Sequence, residues 1–358
     1  MNALVTQPCL DIRAIDLAQP DEARRIDAYV RDAAAATPFH LTAWSHAVAK
    51  GCGQISHYLV AEDAEGQIGG VLPLTEVHSP LFGRALVSSG FAVDGGVVAV
   101  SEAIARQLVS AAEALAARLS CPTIELRGGI MHGAGWHHDS ETYLGFARDL
   151  AADDEAELLA IPRKQRAEVR RALGFELAVA VGTDAADRAS HYAVYAESVR
   201  NLGTPVFPQN LFDAVLDAFG DEADILTIRH EGKAIASVLS LYWRGSVMPY
   251  WGGGTRDARK WRANDLMYYA LMLHARKAKG CTRFDFGRSK TGTGPAAFKR
   301  NWGFEGVPLA YAKKALDGAE VRDINPLSPK YQLQVALWQK LPLSFANRIG
   351  PMIARGLG

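Results

Sequence analysis

The sequence predicts an α/β chain of two like-built domains, each a mixed, mainly antiparallel sheet flanked by helices. Three observations predict it. The length, 358 residues, is about twice that of a typical domain. Two stretches roughly 160 residues apart carry the same order of elements. Each order ends in a helix joining two strands, a crossover that returns the second strand parallel to the first in the same sheet.

Taken in order, residues 57–61 read as a strand, Glu65-Gly66 as a turn and 68–77 as a second strand. A third apolar strand, 84–88, leads to the glycine turn Asp94-Gly95-Gly96. Residues 102–119 place alanines and leucines at helical spacing, and 123–126 close as a strand. The second stretch repeats this: strand 225–229, turn Glu231-Gly232, strand 234–242, strand 247–251, and the turn Gly252-Gly253-Gly254. Helix 264–279 and strand 283–286 complete it. Details echo too, since Cys121…Ile124-Glu125-Leu126 parallels Cys281…Phe284-Asp285-Phe286. The join is expected within 150–161, where an acidic run starts a helix whose N-terminus favours carboxylates. The expected domains are therefore 1–150 and 151–327, followed by a basic amphipathic tail, 328–358.

Thirty-nine basic and 39 acidic side chains cancel, which argues against bulk attraction to nucleic acid and leaves local basic patches open. Cys9, Cys52, Cys121 and Cys281 form no CxxC pair and read as buried, reduced thiols. The first residues lack a basic region followed by an apolar core, and no run approaches the roughly 20 apolar residues of a membrane span. These readings predict a cytoplasmic protein.

Residues 284–304 carry the densest chemistry. An apolar strand with Asp285 runs toward Gly287, Gly292 and Gly294, among Arg288, Ser289 and Lys290, and Lys299-Arg300 follows. Glycines let backbone N–H groups approach a ligand, and cations beside them favour an anion. The aromatic frame of Phe284, Phe286, Phe298, Trp302 and Phe304 would fix such a loop. A fixed ammonium at Lys299 would stabilise the oxyanion of acyl transfer; the alternative is a lysine lying over Trp302 with its head in water. Asp285, alternating with its apolar neighbours, is a candidate base or cation-orienting group. Further back, Arg163, Arg166 and Arg170 share one helical face, with Lys164 beside them, and form either a phosphate clamp or a solvated face.

These stretches resemble the FemAB-type aminoacyl- and acyltransferases, which are two N-acetyltransferase-like (GNAT-like) domains in tandem. The likeness rests on residues 161–172 (IPRKQRAEVRRA), 195–208 (YAESVRNLGTPVFP) and 284–304. More narrowly, it points to the FemAB-related proteins associated with exosortase (PEP-CTERM) and exopolysaccharide clusters. The resemblance implies that Arg166 meets the diphosphate of a nucleotide-activated acceptor, that Tyr195, Arg200 and Asn201 lie near the acceptor, and that Lys299 lies near the acyl carbonyl. It implies no tightly bound cofactor. The donor would be aminoacyl-tRNA, presenting its acceptor end. The acceptor would be a phosphate-bearing small molecule or a lipid-linked one.

Acetyl-CoA-dependent relatives carry an Arg/Gln-x-x-Gly-x-Gly/Ala turn before the crossover helix. Residues 256–264 (RDARKWRAN) lack it, which disfavours CoA and leaves Arg259, Lys260 and Arg262 for another phosphate. Two other readings stay open: a CoA-dependent N-acyltransferase, and a non-catalytic scaffold of polysaccharide or protein-sorting machinery. His132, His137, His138 and Asp139 match no familiar metal spacing and read as a glycine-rich linker; no metal is expected. The tail interleaves Lys330, Lys340, Arg348 and Arg355 with apolar residues and no acid. Pro329 and Pro342 predict two short helices, packed on the second domain or touching an anionic membrane surface.

Overall fold

The structure, a computed structural model, describes residues 10–80, 82–129, 133–316 and 329–358. Cys9, His132 and Ser328, and the side chain of Lys330, lie outside the described residues. Two compact units share the chain: described residues to 139 with 310–316 and 356–358, and residues 140–309 with 329–355.

The first unit starts with β1 (Asp11–Ile15), α1 (Pro20–Asp32) and α2 (Thr42–Cys52). The predicted motif follows as β2 (Ile55–Glu62), β3 (Ile68–Ser79), β4 (Gly83–Ser88), β5 (Val98–Ala99), α3 (Glu102–Arg118) and β6 (Thr123–Arg127), and β7 is His137–Asp139. Ser101 caps α3 by accepting the N–H of Ile104, as a serine before an apolar periodic run should. Its buried face, Ala105, Leu108, Ala112 and Leu115, closes over the sheet core. β4 and β6 pair in parallel at Leu86↔Ile124 and Val87↔Glu125, as a crossover helix requires.

The second unit begins at β8 (Tyr143–Asp149), α4 (Asp154–Ala160) and α5 (Arg163–Leu173), then β9 (Leu177–Gly182), α6 (Ala185–Leu202) and α7 (Gln209–Phe219). Its motif is β10 (Ala223–His230), β11 (Lys233–Trp243), β12 (Ser246–Gly254), α8 (Ala263–Lys279) and β13 (Arg283–Lys290). α9 (Gly294–Asn301) and β14 (Gly306–Pro308) follow. The sheet runs β14-β8-β13-β12-β11-β10-β9. The chain then adds β15 (Tyr311–Ala315) to the first sheet, between β6 and β7. The tail forms α10 (Pro329–Trp338) and α11 (Leu343–Ala354), starting at the two expected prolines, and α11 packs on α6.

Four expectations change. The cut at 150/151 falls beyond β8, whose partners are β13 and β14 of the second sheet. The segment read as one domain to residue 327 includes β15, which pairs with β6 and β7. His137–Asp139 is a strand and not linker, because β15 supplies its ladder partner. Gly252-Gly253-Gly254 is the end of β12 and not a turn, paired with Val238, Ser237 and Ala236. Glycine is required there by close approach: a Cβ on Gly253 would sit 2.2 Å from Ser198 Oγ, and one on Gly254 2.4 Å from Asn264 Oδ1.

Candidate active site

β12 and β13 pair in parallel only at Ser246↔Arg283 and Val247↔Phe284, and then part. A cleft of about 690 Å³ occupies the second unit here. One wall is Gly252–Gly254 of β12 with Phe286 of β13, and α6 adds Ser198, Asn201 and Leu202. Asn264 and Tyr268 come from the first turns of α8, and Pro295, Phe298 and Lys299 from α9. Thr255, Arg256, Arg259, Gly294 and Gln339 complete it. Asn201 Oδ1, Asn264 Oδ1 and Thr255 Oγ1 are buried without a partner on residues lining the cleft. Buried polar atoms in that state call for a ligand or water to satisfy them.

Lys299 is the charged group of this cleft that burial affects most. It is 9% exposed, and its Nζ donates to Gly287 O at 3.0 Å and Arg288 O at 2.9 Å. The amine also lies 5.4 Å from the ring centres of both Phe146 and Phe286. Burial pulls its pKa down from 10.5 to about 7; the Asp285 carboxylate opposes that and Arg288 adds to it. The expected alternative, a head in water over Trp302, is not what is found.

The aromatic frame is present and holds α9 through Phe298, which lies 5.7 Å from Tyr268 and 6.2 Å from Phe286 between centroids; Phe284, Phe286 and Phe304 meet at 5.0 to 5.7 Å, and Tyr268 lies 4.7 Å from Phe286. The glycine-rich loop expected from Gly287 onward is instead strand for its first half. β13 continues to Lys290, and β8 pairs with it on both sides of a bulge between Asp285 and Arg288. The bulge uses Gly287 at φ +67°, with its N–H donated to Asp285 Oδ1 at 2.8 Å. Those backbone groups therefore serve the sheet and the bulge. Arg288 lies over the Tyr143 ring at 4.7 Å with Lys290 at 5.8 Å, and Ser289 is buried with its Oγ unpartnered. None of Asp285, Arg288, Ser289 and Lys290 is among the residues lining the cleft.

Arg163, Arg166 and Arg170 do share a face: with Ala167 and Arg171 they line one surface depression on α5. Lys164 is exposed on the same helix. Arg166 donates to Leu159 O at 3.0 Å and keeps a buried Nε without a partner. α5 is tied to the start of α8 by Gln165 donating to Asp265 and Arg262 donating to Glu168, each at 2.5 Å. Arg262 is thus engaged, Lys260 lies over Trp261 at 4.6 Å, and Arg259 is the member of that trio that lines the cleft. Tyr195 packs its ring on His191 and Phe212; burial raises its pKa. Arg200 donates to Gln339 O at 3.2 Å, and Asn201 beside it reaches the cleft.

At the end of β6 in the first unit, polar groups bond back to the chain itself. Arg127 donates to Ala92 O at 2.7 Å, Tyr311 to Val93 O at 2.6 Å, and the Arg127 N–H to Ser88 Oγ at 2.8 Å. Among the described residues no group of three His, Cys, Asp or Glu is placed to hold a metal, and none of the helices is long and apolar enough to cross a membrane. Cys52, Cys121 and Cys281 are buried.

Residues 161–300 match the acetyltransferase (GNAT) domain family. The match lies within the second unit. No curated protein matches the sequence. Among solved structures, the crystal structure of FemX aligns over 90% of this chain and 99% of its own, with TM-score 0.66 and 16% identity. A tandem GNAT protein from the clavulanic acid biosynthesis pathway aligns over 87% and 100%, at 0.56 and 13%. The C-terminal domain of a putative lysylphosphatidylglycerol synthetase from Agrobacterium fabrum aligns over 90% and 96%, at 0.55 and 16%. At these identities the likeness establishes the fold: two GNAT-like domains in tandem.

Proposed function

We propose that the chain is a FemAB-like transferase that moves an aminoacyl or acyl group onto an amine of a nucleotide- or lipid-linked amino sugar or peptide in envelope or exopolysaccharide synthesis. The observation that carries this reading is the buried Lys299 amine in the cleft. With two carbonyls accepting from it, a neutral Nζ keeps its lone pair, and a protonated one keeps a third N–H. A pKa of about 7 places both forms within reach at neutral pH.

The acceptor amine attacks the acyl carbon, forming the C–N bond, and its proton passes to the Lys299 lone pair. The resulting ammonium donates its third N–H to the tetrahedral oxyanion. The same proton then goes to the leaving oxygen of an aminoacyl ester, or to the sulfur of a thioester, as that bond breaks. In this scheme Asp285 is a positioning residue that holds up the Lys299 pKa. Arg256 and Arg259 meet donor phosphate, and Arg166 and Arg170, with Lys164, meet acceptor phosphate. The CoA-dependent reading remains the second one, favoured by the GNAT domain match over 161–300.

Native mass spectrometry of the purified chain, offered charged tRNA and acetyl-CoA separately, tests the donor. Retention of charged tRNA, with the acyl group lost to an added amine acceptor, supports the reading. Retention of CoA alone transfers the site to the second reading. Retention of neither, in the presence of acceptor, sinks both.

A further inference from the structure

The fully buried stripe of α11 is made of small residues, which is unusual for a surface helix. Such helices ordinarily bury large apolar residues and expose polar ones. α11 buries Ala346, Gly350 and Ala354, small residues at i, i+4 and i+8 that let it lie close on α6. A Cβ on Gly350 would come within 3.2 Å of the Val206 backbone nitrogen. Two of its large residues face out, Phe345 at 50% and Met352 at 67% exposed, while Leu343, Ile349 and Ile353 are half-buried. Arg348 and Arg355 are exposed with Phe345 and Met352, and the spacing i, i+3, i+7, i+10 puts all four on one face.

The surroundings extend that character. Leu333 and Leu337 of α10 and Leu202 at the end of α6 are also exposed, and Lys340 is exposed between the two tail helices. Residues 328–358 contain no acidic side chain. On α11 the exposed apolar pair shares one helix face with the two arginines. Interleaved with cations and free of acids, this face has the chemistry of a helix lying in an anionic lipid interface.

We propose that the outward face of α11 docks on an anionic bilayer, Phe345 and Met352 entering the headgroup boundary while Arg348, Arg355 and Lys340 meet lipid phosphates. Lipid docking stands independently of the acyl-transfer reading. One consequence rests on that reading: Gln339, next to Lys340, lines the cleft, so a docked tail would favour an acceptor amine carried on a lipid headgroup or lipid-linked precursor.

The test is co-sedimentation of the full chain with vesicles of phosphatidylcholine alone, or with about one-third phosphatidylglycerol. Binding is expected only to the anionic vesicles, falling at least tenfold as salt rises from about 50 to about 500 mM and the Debye length shortens. Arg348→Gln/Arg355→Gln should weaken it roughly tenfold or more, at about fivefold per cation, and Phe345→Ser/Met352→Ser by a similar factor. Both variants should keep the wild-type unfolding midpoint and donor retention in the cleft. Should a double variant fail to fold, Arg348→Gln alone carries the test with a roughly fivefold loss. Absence of anion-dependent sedimentation, or equal sedimentation of the folded variants, overturns lipid docking and leaves a protein partner for this face. Donor retention without lipid binding would overturn the docking and leave the transferase reading intact.

Discussion

Replacing Lys299 by Met keeps an unbranched side chain of similar length and removes the amine. Holding that amine near pKa 7 in place of 10.5 makes its charged form roughly 5 kcal/mol less favourable in the fold than in the unfolded chain, as an upper bound. Because the folded pKa lies below the unfolded one, the unfolded chain holds a proton that the fold lacks between about pH 7 and 10.5. Stability therefore rises with pH across that window, by up to about 1.4 kcal/mol per pH unit from this group. In Lys299→Met that contribution disappears. The carbonyls of Gly287 and Arg288 lose their donor at a cost of about 1–3 kcal/mol each, an offset that does not vary with pH. Urea denaturation of both proteins at several values between about pH 7 and 10 reads the difference. Their stability gap should change by about 3 kcal/mol over two pH units, in favour of the wild type as pH rises. Parallel curves, or a shift in favour of the variant as pH rises, would refute a neutral, buried lysine and the proton transfer built on it.

Other outcomes follow from the same geometry. Transfer by Lys299→Met should fall about 100- to 10,000-fold, and wild-type kcat/KM should rise with pH through about 7; a rate that falls there would leave an ammonium-only role. Asp285→Asn keeps an acceptor for the Gly287 N–H but removes the charge that raises the Lys299 pKa, so the acid limb should move to lower pH. Gly253→Ala drives a Cβ against Ser198 and should destabilise by about 1–3 kcal/mol, read by the denaturation midpoint. Arg166→Gln/Arg170→Gln should weaken a diphosphate-linked acceptor about tenfold or more and leave donor retention unchanged; equal weakening of both would move the stripe to the donor.

The motif of each unit was legible because its strands and crossover helix announce themselves locally, by alternation, Glu-Gly turns and helical spacing. Lys299 and its aromatic frame were legible as well, since their residue types suit no solvated loop. What escaped depends on distant partners. β8 gives no local sign that it belongs beside β13, nor β15 that it belongs beside β6. Without β8, residues 287–290 read as a loop; with it, they are a bulged strand. The triple glycine read as a turn because nothing local tells flexibility from the close approach of Ser198 and Asn264. Tyr268, which lines the cleft, sits on a helix as an ordinary packing residue and carries no signal apart from where that helix lies; Asn201, which lines it too, was reached only through the family resemblance.

The late arrival of β15 has a consequence for biosynthesis. β6 is complete at Arg127, and its partner begins at Tyr311. At translation rates of about 5–20 residues per second, roughly 10 to 40 seconds separate the two on the ribosome. Throughout that interval the nascent first unit presents β6 as a bare edge, a template for pairing with other chains. β7 meanwhile has no ladder partner among the described strands. Its solubility while it is being made therefore depends on a segment not yet synthesised. A fragment ending at residue 139 or 150 would carry that exposed edge permanently.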